Sequence, residues 1–265
     1  MDVTAVDRSA ISGDTLLHRA APASKLAAAG LLLGAVVAVN DPLLAAGVAL
    51  SLTGAGAAVR LPVRQMLPLA LYPALFALIF AFAAAPGPVT GALVVLKAVT
   101  AALTVVILMF STPYPQVFAP IQRVTPQVVG DALLMTYRSL FILAEKFADL
   151  TRAVRLRAGL SARQPIRSAK ATVRALGGLL LYSLDLSQRE YDILYLRGYE
   201  GGLRVSGKRS TDRAADGAAV LYAALVLTVV LAFRLVPSLG GYAWIVTIAG
   251  AVDLATGLLI GRRRA

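Results

Sequence analysis

Two short segments, Leu156-Arg157-Ala158 and Leu196-Arg197-Gly198, stand forty residues apart in the only long charged stretch of an otherwise apolar chain. A guanidinium is always charged and presents a planar fork of donors that can pair bidentately with a carboxylate. A small neighbour, Ala158 or Gly198, would let a second backbone approach closely. Each segment also ends a helical pattern, and Arg near a helix C-terminus can instead cap the last carbonyls and interact with the dipole. Residue type leaves both readings open, a docking knob and a cap. Arg155 and Leu156 on one side, and Leu196 on the other, would shape the knobs.

Three further charges fall inside apolar segments: Lys97, Arg234 and Asp253. Ionisable residues at membrane depth are candidates for function or for pairing. Arg234 lies close to a segment end and is expected to snorkel. A Lys97–Asp253 ion pair tying two helices together is the simplest expectation, with a role at a partner interface and an ion relay as alternatives. Gly202-Leu203-Arg204-Val205-Ser206-Gly207-Lys208 spells the start of a P-loop. Arg209 then stands where Ser or Thr should ligate Mg²⁺, and a helical pattern rather than a strand precedes it, so a basic loop is expected. The chain has no cysteine and one histidine, His18, which excludes disulfides, thiolate chemistry and a His-based metal cage. Neither a catalytic cluster nor a bound cofactor or metal is expected on this chain.

The elements that must position these residues are set by composition. The 265-residue chain is 58% hydrophobic and 15% charged, with a mean hydropathy of +0.75. That is an integral membrane protein. Six hydrophobic segments can be drawn, at about 26–39, 43–59, 66–85, 89–110, 214–236 and 242–260. Helices are the default, because a lone strand leaves its backbone unsatisfied in lipid. A span needs about 20 residues, so the first two segments are short. No cleaved signal is expected, since the first apolar run starts only at Leu26 and leads straight into a second.

The net charge of +12 follows the same plan. Fifteen of the 26 Lys and Arg fall between Arg138 and Arg213, and the links around Asp41, Gly87 and Ser238 have none. The positive-inside rule then places both termini and the charged region in the cytoplasm, which an even number of spans permits. Nucleic acid is not an expected partner; the lipid bilayer is. Within the charged region, apolar residues recur at helical spacing from Asp131 to Arg157, through Leu134, Phe141, Ala144 and Ala148. They recur again from about Pro165 to Arg197, through Val173, Leu176, Leu180, Leu184, Tyr191 and Leu194. Pro165 suits a helix start and Gly198 a C-terminal cap. The expected fold is therefore all-α. It has about six transmembrane helices, with two long amphipathic cytoplasmic helices between the fourth and fifth. Its regions are 1–127, 128–213 and 214–265. Gly30 and Gly34 form a Gly-x-x-x-Gly step that should pack closely, within the chain first and against a partner as the alternative.

With both motifs in place, the chain resembles the transmembrane T components of energy-coupling-factor transporters, and most nearly the cobalt-type CbiQ family. Tyr191 to Gly201, with Leu196-Arg197-Gly198 at its centre, resembles the family's second Ala-Arg-Gly motif. Arg152 to Gly159 resembles the first. Leu133 to Arg138, and Leu17-His18-Arg19 with Pro22 and Lys25, also fit. The chain departs from the pattern at Leu156 and Leu196, where Ala is usual, and at Ala158, where Gly is usual. The resemblance implies a non-catalytic subunit of an ATP-driven importer in the cytoplasmic (inner) membrane. Its implied partners are two cytoplasmic ABC ATPase subunits, which bind the ATP and Mg, and a membrane S component of the CbiM-like kind that captures substrate. A small accessory membrane protein is a further partner the resemblance allows. It also implies that two coupling helices cross and that Arg157 and Arg197 each sit in a groove of one ATPase. Cobalt is the implied cargo, with nickel or a vitamin as alternatives. A self-contained secondary transporter is one competing class; it often shows two related halves, and no internal repeat is evident here. A membrane enzyme acting on lipid, with the basic region gripping headgroups, is the other, and no catalytic cluster supports it.

Overall fold

The computed structural model describes residues 16–59, 61, 63–122, 125–156, 165–203, 212–236 and 241–263. Among them lie ten α-helices and no strand: α1 (Leu16–Arg19), α2 (Pro22–Ala38), α3 (Pro42–Ala58), α4 (Val63–Ala84), α5 (Pro88–Ser111), α6 (Tyr114–Ile121), α7 (Gln127–Leu156), α8 (Pro165–Leu196), α9 (Arg213–Leu235) and α10 (Ala243–Arg263). Proline starts α2, α3 and α5, where its missing N–H is one that a helix leaves unpaired anyway. All six hydrophobic segments are helical. α4 stays helical through Pro68 and Pro73. The short α6 was not expected; α5 ends at Ser111, and after Thr112 and Pro113 the chain resumes a helix at Tyr114.

Among the described residues four helices are long and apolar enough to cross a membrane: Gln65–Ala84, Pro88–Ser111, Gln127–Leu156 and Arg213–Leu235. Three further apolar helices are shorter, Pro22–Ala38, Pro42–Ala58 and Ala243–Leu259. Seventeen residues reach only about 26 Å, against a hydrocarbon core of about 30 Å. α7 meets the same criterion although its sequence reads as amphipathic. Its apolar stretch, 127–144, carries only Asp131 and Arg138, whereas 145–155 carries Glu145, Lys146, Asp149, Arg152 and Arg155. We read α7 as an amphipathic helix on that account.

The chain divides into two compact units, 1–117 with 207–265, and 118–206. In the first, α2 packs on α9, α3 on α10, α4 on α5, and α5 also on α2 and α3. The core is built of small and branched residues: Ala35, Val39, Leu44, Val48 and Leu52 meet Ala223, Val226 and Val230. Small residues let helices approach where lipid supplies no hydrophobic drive. The closest approach is between α3 and α10. A Cβ on Gly54 would lie 2.6 Å from the Asp253 carbonyl carbon, and one on Gly47 2.9 Å from that of Val246. Gly250 and Gly257 meet the carbonyl oxygens of Gly47 and Gly54 in return. The expectation for Gly30 and Gly34 is corrected: both face open space within this chain, and the close packing falls to the seven-residue pairs Gly47/Gly54 and Gly250/Gly257.

Polar side chains fasten the same unit. Asp216, in the first turn of α9, accepts from the Ala21 N–H at 2.5 Å and the Ser24 hydroxyl at 2.9 Å, holding the start of α2. Lys25 is only 5% exposed and donates to the Ser111 carbonyl at 2.8 Å, where α5 ends.

Candidate coupling site

The second unit holds α7 and α8, the helices that lead toward the two arginine motifs. Contacts between them advance along one helix as they retreat along the other. The Ser139 hydroxyl donates to Glu190 at 3.0 Å, and the Lys146 ammonium lies 5.1 Å from the centre of the Tyr182 ring. The two helices are therefore antiparallel where they touch. The C-terminal end of α8 and the last described turn of α7 thus point to opposite ends.

At the C-terminus of α8 the sequence dictates a particular stop. Gly198 adopts a φ of 66°, a left-handed conformation that glycine adopts without steric penalty. The Tyr199 N–H donates to the Leu194 carbonyl and the Gly198 N–H to that of Tyr195, each at 3.0 Å. This six-to-one and five-to-two pair is a Schellman cap, with Gly198 where the expected cap was placed. The glycine beside Arg197 thus has a local reason independent of any partner. Leu196 is 83% exposed, and Arg197 and Gly198 are exposed with it. Arg197 therefore does not owe its position to capping; the backbone bonds of Gly198 and Tyr199 do that work.

Beyond the cap, the chain is fastened to α7. Asp131, 6% exposed, accepts from the Tyr199 hydroxyl and from the backbone N–H groups of Gly202 and Leu203, the last two at 2.8 Å. The Gln122 side-chain amide donates to the Leu203 carbonyl at 3.2 Å. Donation to the Asp131 carboxylate raises the Tyr199 hydroxyl above the ordinary phenol range. The two amides of the P-loop look-alike that are described thus point at a carboxylate, and Arg204 to Lys208 lie outside the described residues.

At the other end, α7 is described as far as Leu156, which is 88% exposed, with Arg155 exposed beside it. Arg157 and Ala158 lie outside the described residues, as does the side chain of His18. The distance between the two ends still follows from α7 itself. Asp131 touches the turn that follows Arg197. From Asp131 to Leu156 the helix rises roughly 38 Å, at about 1.5 Å per residue.

The charges in the apolar helices are arranged otherwise than expected. The Lys97 ammonium donates to the Val37 carbonyl at 3.2 Å and forms no ion pair with Asp253 among the described residues. Val37 sits in the last turn of α2, whose carbonyls have no partner within the helix, so a nearby lysine finds an acceptor there. Asp253 is exposed on α10, which packs on α3. Arg234 is exposed in the last turn of α9, in keeping with snorkelling.

The family described as CbiQ, cobalt transport protein, matches residues 13–208 of this chain. This chain belongs to the CbiQ family. A curated relative, the cobalt transport protein CbiQ of Rhodobacter capsulatus, is 32% identical over 124 residues, which cover 46% of this chain and 50% of the relative. The chain therefore spans about half the length of the curated relative it matches. The CbiQ match runs through α1 to α8 and includes both arginine motifs; α9 and α10 lie beyond it. Membership makes the chain a member of a cobalt transport protein family, and the apolar helices make it a multi-pass membrane protein.

Within this CbiQ-family chain, sequence reasoning missed Asp131, Tyr199 and Asp216. Asp131 read only as the start of a helical pattern. Its signal was an acidic residue on the apolar half of α7, where a carboxylate needs donors. The corrected placement of Lys97 gives a test. Lys97→Met and Asp253→Asn are expected to change thermal stability in detergent independently, additive within about 0.5 kcal/mol. The charge-exchanged double variant is expected to rescue neither. A coupling above about 1 kcal/mol would restore the ion pair.

Proposed function

We propose that this chain is the transmembrane coupling (T) subunit of an energy-coupling-factor importer for Co²⁺. Two cytoplasmic ABC ATPase subunits hold the ATP and Mg, and a membrane S component captures the ion. The observation that carries this reading is the disposition of the two helices that lead to the motifs. Exposed helix ends bearing Arg197 and leading into Arg157 lie at opposite ends of one antiparallel pair, roughly 38 Å apart along α7. That spacing suits two separate docking sites better than one. Closure of the ATPase pair on ATP would draw the two ends with it. The pair would transmit that motion to the S component, which releases its ion inward. This chain supplies the linkage and no catalytic group.

In the same reading the chain lies in the cytoplasmic membrane with both termini, α7 and α8 in the cytoplasm. The basic residues that cluster at 138–213 favour that side. Co-purification of the full chain from native membranes tests the proposal. Two copies of an ABC ATPase and a small membrane partner should accompany it, and Co²⁺ uptake should require all of them together with ATP. A chain that purifies alone and transports Co²⁺ unaided in vesicles would place it instead among the secondary transporters.

A further inference from the structure

The turn that follows Arg197 has little stiffness of its own. Gly198, Gly201 and Gly202 hold φ values of 66°, 102° and 91°, three left-handed glycines within five residues. Glycine has the most conformational freedom to lose on ordering, so such a turn samples many shapes unless something outside it selects one. The Schellman cap fixes only its first two residues. What fixes the rest is a single buried carboxylate. Asp131 receives a hydroxyl from Tyr199 and two amides from Gly202 and Leu203, so both ends of the glycine segment converge on it. Gln122 holds the Leu203 carbonyl from the same side. Hydrogen bonds to an ionised acceptor are the stronger kind, and three on one carboxylate leave it well satisfied.

We propose that Asp131 is a positioning residue. It locks the Arg197 turn to the start of α7, so that the second arginine motif and the helix leading to the first move as one piece. The role rests on the docking function proposed above for Arg197. A docking side chain on a loose turn must be ordered at the moment of binding, and that ordering subtracts from affinity. With the turn pre-formed, Arg197 meets its partner already oriented. A push at Arg197 also reaches α7 through a carboxylate rather than through a hinge of glycines. Tyr199 acts with Asp131 as one of its three donors.

The test uses the full chain co-expressed with the two ATPase subunits of its own transporter. Asp131→Ala, Asp131→Asn and Tyr199→Phe are made alone and combined with Arg197→Ala. Two quantities are read: hydrogen exchange over 199–203, and the affinity for the ATPase pair. Asp131→Ala is expected to speed exchange at Gly202 and Leu203 about tenfold or more and to weaken ATPase binding by about tenfold. Tyr199→Phe, which removes one donor, is expected to fall between it and wild type. In the Arg197→Ala background the further loss from Asp131→Ala should shrink to within about twofold, because the residue it positions is gone.

Unchanged exchange in Asp131→Ala overturns the clasp. A tenfold loss that persists in the Arg197→Ala background overturns the positioning role. Asp131→Asn keeps the side chain's shape, so the same comparisons can be made on it if the alanine variant does not fold. Wild-type affinity in Arg197→Ala alone defeats the docking reading and the positioning role with it, whatever the exchange data say. The two failures are thereby told apart.

Discussion

The double variant Arg157→Ala/Arg197→Ala is expected to insert and fold like wild type, yet to lose the ATPase subunits and ATP-driven Co²⁺ uptake. The argument starts from what Arg197 does not do. Its side chain is exposed, and none of the described residues pairs with it. The helix end it occupies is closed by backbone bonds from Gly198 and Tyr199. Its removal should therefore change stability by no more than about 0.5 kcal/mol, as for other surface substitutions. In a desolvated interface the same removal strands a partner carboxylate and is worth about 2–5 kcal/mol. That is roughly thirtyfold to several thousandfold in affinity for each motif. Of the single variants, Arg197→Ala should be the more severe. Its motif keeps the glycine that the cap requires, whereas Ala158 stands at that place in the first. Thermal melting, ATPase co-purification and ion uptake on one preparation check the result. An intact complex with wild-type uptake in the double variant would end the coupling role of both arginines.

Much of this is legible in the sequence, for physical reasons that can be named. Long apolar runs can only be helices in lipid, so six segments declared themselves. The helical periodicity of 165–197 marked α8 to within a residue, because Pro165 and Gly198 punctuate it at both ends. The family resemblance held as a family: CbiQ matches residues 13–208, a range that includes both arginine motifs. α7 was legible as a helix, but its apolar half also satisfies the length and composition of a span, an ambiguity that sequence periodicity does not remove.

What escaped were pairings across the chain. Lys97 and Asp253 looked like partners because both are charged and intramembrane. Which helix faces which decides the matter, and α2 offers Lys97 an unpaired carbonyl first. Gly30 and Gly34 carried a familiar spacing but no neighbour, while the glycines that do touch are seven apart and lie on helices 200 residues distant in sequence. Asp131 and Tyr199 are 68 positions apart, and only Tyr199 lies in a segment that drew attention as a motif. A buried carboxylate that gathers three donors is a property of the folded unit, and no local spacing announces it.

The glycine contacts between α3 and α10 support the second large effect. Gly54→Leu or Gly250→Leu is expected to destabilise the membrane unit by about 3 kcal/mol or more. The magnitude follows from what the new side chain would strike. At Gly54 even a Cβ lies 2.6 Å from the Asp253 carbonyl carbon and from the Leu254 nitrogen, and at Gly250 it meets the Gly47 carbonyl oxygen. These are backbone atoms, which cannot swing aside as the end of a long side chain can. Relief must come from parting the two helices, and that uncovers the interface the remaining glycines share. Gly30→Ala and Gly34→Ala are the internal controls. Both positions are open, and alanine is the better helix former by up to about 1 kcal/mol, so these variants should match or slightly exceed wild type. Thermal unfolding of the purified chain in one detergent separates the four. Wild-type stability in Gly54→Leu, or a clear loss in Gly34→Ala, would mean that α3 and α10 are not in close contact and that the Gly30/Gly34 face is the packed one. The same measurement divides the two classes of defect. A glycine variant fails because the unit that spans the bilayer comes apart, whereas the arginine variant remains folded and has lost only its hold on the ATPases.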